Sequence, residues 1–137
     1  MNSIKETMIE IYKPIKYDWM NYLIVDNDIT YHHIVKVEDG GERTVDNGAL
    51  LTSKAHTYLH KIEGIDKEIY TKLNKVFKEI NNQKKEPTKL QRKKIQLLLM
   101  KFEIKNADKL IKRKEHIISK RRKIVAIRRR KEIQNYE

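Results

Sequence analysis

The sequence predicts an α+β fold that is mostly α-helical, and three observations lead to this class. Apolar residues recur at helical spacing in several segments of the 137-residue chain. Two short runs of β-branched, aromatic or aliphatic residues, at residues 29–35 and 49–52, predict a pair of strands. Residues 89–133 contain no glycine or proline, which permits one long helix or two helices. The length favours a single domain with one modest core and some extended helix.

The N-terminal part of the chain, residues 1–28, is expected to be helical or extended. Apolar residues at helical spacing predict a short helix over residues 3–12, and Pro14 ends that pattern. Residues 17–26 contain the only tryptophan, and their pattern suits either a helix or a strand. These two alternatives stay open for this stretch.

The middle of the chain combines the two predicted strands with a helix. The consecutive glycines Gly40 and Gly41 break the first strand, because glycine adopts backbone conformations that are closed to other residues. Ser53 is the expected N-cap of a helix that opens at Lys54, and Gly64 is placed to end it. The sequence therefore predicts two strands followed directly by a helix.

Helices are predicted for the remainder of the chain. Residues 66–81 carry apolar side chains on one face, and Pro87 separates this helix from the next. From residue 90 onwards an apolar residue falls at every seventh position, in a stripe that is broad at first and later narrows to adjacent pairs. This change predicts helical support over residues 64–108 and a basic C-terminal helix or tail over residues 109–137.

The positive charge of the chain is concentrated in this tail. Thirty-one Lys and Arg against nineteen Asp and Glu give a net charge of +12, and residues 112–131, with eleven basic residues and one acid, carry +10 of it. The expected partner is a polyanion, DNA in the first place, with RNA or a nucleoprotein complex as alternatives. The alternative without a partner is a solvated helix face or a disordered end. The expected phosphate-binding residues are Lys112, Arg113, Lys114, Lys120, Arg121, Arg122, Lys123, Arg128, Arg129, Arg130 and Lys131.

Composition excludes several classes of protein. No stretch approaches about 20 apolar residues, so no membrane association is expected. The absence of cysteine excludes disulfides, thiolate zinc sites and cysteine nucleophiles. The N-terminus lacks the apolar segment of a secretory signal, which makes a cytoplasmic location the expectation. The apolar pairs of the tail give a weak coiled-coil signal, so the chain is expected to be a monomer or a homodimer.

Four of the five histidines fall within one 29-residue window. His56 and His60 are four residues apart on the predicted helix, so both imidazoles project from one face a single turn apart. His32 and His33 are adjacent on the predicted strand and point to opposite sides of it. One of that pair can join the helix pair on a metal, which leaves the other beside the metal, where a general base belongs. The fifth, His116, is interpreted as a surface histidine.

The order and spacing of these residues resemble the signature of HNH, or ββα-metal, nucleases. The resemblance covers residues 29–63, which are expected to form an HNH core. Colicin-type nuclease domains are similar, and so are small phage-type HNH proteins. The residues that carry the resemblance are Tyr31-His32-His33-Ile34, Gly40-Gly41, Asp46-Asn47, Leu51-Thr52, His56 and His60.

The resemblance implies a metal-dependent endonuclease that hydrolyses phosphodiester bonds in DNA. In that family pattern His33 is the base that deprotonates a water molecule, and Asn47 orients the loop and that imidazole. His32, His56 and His60 hold one divalent cation. An all-imidazole set suits zinc, nickel or cobalt better than magnesium, and the identity of the metal stays open among zinc, nickel, manganese and magnesium.

Two further expectations complete this interpretation. In the nucleases that this pattern resembles an upstream arginine grips the phosphate, but no arginine precedes Arg43 in this chain, and Lys13, Lys16 and Lys36 are only weak substitutes. Arg43 itself, in the loop after the glycine pair, is an expected phosphate contact. The alternative function is a non-catalytic binding protein, such as a phage-type inhibitor or regulator of a nucleoprotein machine, an anti-CRISPR for example, that keeps the HNH fold as a scaffold. The histidines would then form a metal clip that only stabilises the fold.

Overall fold

In the computed structural model, which describes residues 3–136 and the side chains of residues 3–129, the chain is mostly helical with one two-stranded antiparallel sheet. The α+β, mostly α prediction is therefore confirmed. The elements are α1 (Ile4–Tyr12), β1 (Thr30–His33), β2 (Gly48–Leu51), α2 (Ser53–Ile65), α3 (Lys67–Gln83) and α4 (Lys89–Tyr136), with single turns of 3-10 helix at Val37–Asp39 and Val45–Asn47.

Helix α1 begins and ends close to the predicted residues. Ser3 and Glu6 form a capping box, in which each side chain accepts a hydrogen bond from the other residue's backbone N–H. The helix ends at Lys13, which adopts a left-handed conformation with φ of 46° just before Pro14. The predicted N-terminal helix is thus confirmed.

The stretch around the tryptophan is neither of the two predicted alternatives. It is a loop closed by one isolated bridge between Tyr17 and Leu23. The buried carboxylate of Asp18 accepts hydrogen bonds from the backbone N–H groups of Met20 and Tyr22 within the loop, and from that of Thr52 at the start of α2. Burial raises the pKa of Asp18 despite these bonds. One buried acid therefore ties the loop to the end of the sheet.

The strands pair with His32 opposite Ala49 and His33 opposite Gly48. Strand β1 ends at His33 rather than at Val35 as predicted. The reason is that the Asn47 side chain takes over the pairing, since it accepts from the Val35 N–H at 2.8 Å and donates to the Val35 carbonyl at 3.0 Å. The side chain thereby supplies the bonds that a further strand residue would have made.

The turn between the strands requires its glycines. Gly40 has φ of +85°, a conformation that side chains disfavour. A Cβ atom at Gly41 would lie 1.8 Å from the carbonyl oxygen of Val35, which excludes any other residue in this backbone conformation. The predicted strand break at this pair is therefore explained by both backbone conformation and close approach.

Helix α2 differs from its prediction at both ends. Thr52, not Ser53, is the N-cap, and its hydroxyl accepts from the Ala55 N–H at 3.2 Å. The Ser53 hydroxyl instead donates to Asp28 at 2.6 Å. Gly64 lies inside the helix, which ends one residue later because Asp66 caps the start of α3 through its side chain. A left-handed glycine is not needed at this junction.

The core lies between the sheet and the helices. The predicted apolar face of α3 is buried, and its members are Ile69, Leu73, Val76, Phe77 and Ile80. Trp19 contacts this face through a tilted ring pair with Phe77, 6.4 Å between centroids. The first part of α4 adds Ile95 and Phe102 to the same cluster.

The chain divides into two compact units, Met1–Phe102 and Glu103–Glu137. The open choice between one and two C-terminal helices resolves to a single helix, α4. Within the second unit the apolar pairs are 44–55% exposed, and they are Leu110, Ile111, Ile117, Ile118, Ile124 and Val125. None of the helices within residues 3–136 combines the length and apolar character that a membrane span requires.

Candidate metal centre

Three histidines come together between β1 and α2. One ring nitrogen from each of His32, His56 and His60 lies within 4.8 Å of the others, close enough for all three to bind one metal ion. Strand alternation turns His32 towards α2, and the four-residue spacing stacks His56 and His60 on one helix face, with ring centroids 4.8 Å apart. The structure therefore brings together the three predicted ligands.

His32 is the buried member of this group. It is 2% exposed, and its ring packs edge-on against Tyr70 and Phe77 of α3 at 6.4 and 6.0 Å between centroids. This burial lowers the pKa of His32 from 6.5 to about 4, and the hydrogen bond to Asn74 opposes the shift only in part. His32 is therefore neutral at pH 7 and has a lone pair available for a metal.

The hydrogen bond from His32 to Asn74 determines which ring nitrogen carries that lone pair. His32 Nε2 lies 2.8 Å from Asn74 Oδ1, and both side chains are buried. An amide oxygen only accepts, so Nε2 carries the proton and Nδ1 remains free. Metal-binding histidines commonly use their second nitrogen in this way.

The His56 ring is oriented by the same logic. The Thr30 hydroxyl donates its single proton to the Leu51 carbonyl at 2.8 Å. Thr30 Oγ1 therefore accepts from His56 Nδ1, which lies 3.1 Å away. The Nε2 atom of His56 is left free to bind a metal. Burial, followed by the neighbouring His60 and His33, lowers the pKa of His56, which favours the same neutral form.

The third ligand is held by a carboxylate that also binds a lysine. His60 Nδ1 lies 3.3 Å from Glu63 Oε1, one helical turn along α2. The other oxygen of Glu63 forms an ion pair with Lys36 Nζ. That lysine is the main cause of a lowered pKa at Glu63, so the group is a carboxylate and an acceptor at neutral pH. Each of the three imidazoles thus has a neighbouring side chain, outside the group of candidate ligands, that accepts a hydrogen bond from its ring N–H.

Sequence analysis did not identify these outer partners. Thr30 and Asn74 lie 26 and 42 residues from the histidines they contact, and nothing in the local pattern links them. Glu63 carried a usable signal, because it lies three residues after His60 on a predicted helix.

His33 lies beside the predicted ligands and outside their group. Its ring packs edge-on against Tyr31, 4.9 Å between centroids. It nevertheless lines the same open pocket, of about 460 Å³, as the three candidate ligands. Within residues 3–129 the His33 ring has no hydrogen-bond partner, so both nitrogens are available to a water molecule or a substrate.

Asn47 acts on the loop rather than directly on an imidazole. Its side-chain amide bonds to both backbone groups of Val35 and to the carbonyl of Glu42, and its own carbonyl accepts from the Ile34 N–H. It therefore fixes the chain that directly follows His33, and its side chain forms no hydrogen bond with that ring in the described structure.

The predicted nucleic-acid contacts lie in two places. The Arg43 guanidinium stacks on the Tyr31 ring at 4.5 Å from its centroid, and this ring is the one that contacts His33. The predicted basic residues of α4 from Lys112 to Arg129 are exposed. The side chains of Arg130 and Lys131 lie outside the described residues.

Comparison with protein-family models, with curated proteins and with solved structures gives no match for this chain.

Proposed function

We propose that this chain is a metal-dependent HNH endonuclease that hydrolyses phosphodiester bonds in DNA. The observation that carries the proposal is the arrangement of the pocket: three imidazoles with oriented free nitrogens lie beside a fourth, His33, whose ring nitrogens have no hydrogen-bond partner among residues 3–129. The order β1, β2, α2 supports a ββα-metal core, since the ligands come from the first strand and the helix.

The chemistry divides between the metal and His33. His32, His56 and His60 would hold a divalent cation, which would supply positive charge to the phosphate and to the leaving oxygen. His33 takes a proton from a water molecule, whose oxygen then bonds to phosphorus as the bond to the leaving oxygen breaks. Asn47 holds the backbone next to this base. Three protein ligands leave coordination positions open, which distinguishes this set from a closed structural site.

The ligand chemistry favours certain metals. Neutral imidazole nitrogens suit zinc and nickel, whereas magnesium and manganese prefer oxygen ligands. We therefore propose zinc or nickel as the best-binding ion, with manganese and magnesium as alternatives to be compared in the same assay.

DNA is the proposed substrate because of the charge of the second unit. Exposed Lys and Arg along α4 suit phosphates and accompany no recognition motif, so they are proposed to add affinity without sequence preference.

A second candidate is a non-catalytic binding protein in which the metal only stabilises the fold. The observation that favours it is the position of His32, which is fully enclosed and would tie β1 to α2 through the metal. Both candidates bind metal and nucleic acid. Only the first requires hydrolysis that depends on His33.

Plasmid cleavage by matched variants separates the two. We expect His33→Ala to cleave about 10²–10⁴-fold more slowly than the wild type while its metal affinity stays unchanged. His116→Ala is the control, because this histidine is exposed on α4, and it should cleave like the wild type. The assay compares magnesium, manganese, nickel and zinc. Equal rates for His33→Ala and wild type with every metal would exclude the catalytic role and leave the binding protein.

A further inference from the structure

Apart from its histidines, the described lining of the candidate metal centre contains one side chain that is positively charged at neutral pH. Among the described residues that line it, Lys36 is the single lysine, and there is no arginine. Arg43, the residue expected to contact a phosphate, is not part of this lining and stacks on Tyr31 instead. The cation beside the candidate metal ligands is therefore Lys36, which lies three residues after the end of β1.

Lys36 is fixed at both its backbone and its ammonium group. Its carbonyl accepts from the N–H groups of Asp39 and Gly41 at 3.0 and 2.8 Å, which anchors it in the turn. Its Nζ atom pairs with Glu63 and lies 5.7 Å from the centroid of the Tyr70 ring. The side chain is still 37% exposed, so the ammonium group is ordered and accessible from the pocket.

Glu63 places this ammonium group next to the metal ligands. One oxygen of the carboxylate faces His60 and the other faces Lys36, so a single group separates a metal ligand from the lysine. An ammonium group has three donors, and the bond to Glu63 occupies one of them. Lys36 can therefore keep its partner and donate to an anion in the pocket at the same time.

We propose that Lys36 binds a non-bridging oxygen of the scissile phosphate, and that Glu63 positions Lys36 together with His60. This inference rests on the proposed function for the nature of the phosphate. A charge-assisted hydrogen bond at this point strengthens as negative charge develops on the phosphate oxygens, which stabilises the transition state more than the ground state. The pairing with Glu63 also neutralises a carboxylate that would otherwise repel the substrate.

Three variants test the role of the lysine. Lys36→Met keeps the length of the side chain and removes its charge, whereas Lys36→Arg keeps the charge. Lys61→Met is the matched control, because Lys61 is an exposed lysine of α2 outside this pocket. Each protein is loaded with nickel, whose affinity is measured first by calorimetry, and is then titrated with inorganic phosphate and assayed for plasmid cleavage.

We expect Lys36→Met to bind nickel as well as the wild type does, to bind phosphate about tenfold more weakly and to cleave about 10²-fold more slowly. Lys36→Arg should recover part of both losses, and Lys61→Met should change neither. Glu63→Gln should weaken nickel binding about tenfold, because it orients His60, and should also slow cleavage. This combined loss distinguishes the positioning residue from the residue that contacts phosphate.

The outcomes separate this inference from the proposed function. If the wild type cleaves DNA and Lys36→Met cleaves it equally fast, the inference is overturned and the nuclease function stands. If the wild type fails to cleave DNA with any of the metals, the nuclease function fails. The phosphate titration then decides whether Lys36 binds phosphate. Equal phosphate affinity of Lys36→Met and wild type, or no phosphate binding by the wild type, overturns the inference.

Discussion

Replacement of Asn74 by leucine tests whether the outer partners of the imidazoles control metal binding. Asn74 is not one of the three proposed ligands, and its Oδ1 lies 2.8 Å from His32 Nε2 in a buried environment. Asn74→Leu removes this acceptor with little change in side-chain volume. The His32 N–H is then left buried without a partner, and the tautomer that presents Nδ1 to the metal loses its stabilisation.

The size of the effect follows from two independent considerations. A buried donor without a partner costs about 1–3 kcal/mol. Loss of an outer partner of a metal-binding histidine typically weakens metal affinity by about 10–100-fold, which corresponds to about 1.4–2.8 kcal/mol at 1.4 kcal/mol per factor of ten. The two ranges agree, so we expect Asn74→Leu to bind zinc or nickel about 10–100-fold more weakly than the wild type.

The assay is calorimetric titration of the metal in competition with a chelator, with circular dichroism as a check that the variant is folded. Asn74→Asp is the matched control, because a carboxylate oxygen also accepts from Nε2, and it should keep metal affinity. If folded Asn74→Leu binds metal within twofold of the wild type, the outer partner does not orient His32 and the reasoning about all three tautomers is refuted.

Three further predictions follow from the site and the charge distribution. Calorimetry should show one divalent ion per chain, and His56→Ala should bind it far more weakly because two ligands remain; equal binding would refute the ligand assignment. Without metal, the unfolded chain takes up a proton at His32 near pH 6.5, whereas the folded chain does so only near pH 4. The free energy of unfolding should therefore fall by about 3 kcal/mol on acidification through that window. Urea titrations in the presence of a chelator at pH 7.5 and pH 4 measure this fall. If about six basic residues of α4 contact phosphates, log affinity for duplex DNA should fall with log salt at a slope of about −5, and truncation after Asp108 should flatten it; equal slopes would show that this segment does not bind phosphates.

The features that the sequence predicted are those with a short-range pattern. The four-residue spacing of His56 and His60, the alternation at His32 and His33, and the apolar face of α3 each depend only on the geometry of one element. The ends of α2 could not be predicted in this way. Thr52 and Ser53 are both suitable N-caps, and the choice between them depends on Asp28, 25 residues away, which takes the Ser53 hydroxyl.

The loop around the tryptophan shows the same limit. Its residues suit a helix or a strand, but Asp18 turns its carboxylate into the protein and accepts from backbone N–H groups that a helix would have paired internally and a strand with a neighbouring strand. One of those bonds reaches Thr52, 34 residues later. The propensity of this stretch for regular structure is therefore overridden by a single buried acceptor that binds two donors within the loop and one, Thr52, that is distant in the sequence.

The candidate metal centre extends beyond the segment that carries the nuclease resemblance. Residues 29–63 supply the three imidazoles, His33 and the Lys36–Glu63 pair. Helix α3 supplies the rest: Asn74 accepts a hydrogen bond from the His32 Nε2–H group, and Phe77 packs against the His32 ring. Burial by this helix keeps His32 neutral, and Asn74 determines which of its ring nitrogens is free. The packing of α3 against the sheet therefore prepares His32 to bind a metal. The spacing of the histidines points to three candidate ligands, and the packing of a helix outside that segment keeps one of them, His32, neutral with Nδ1 free.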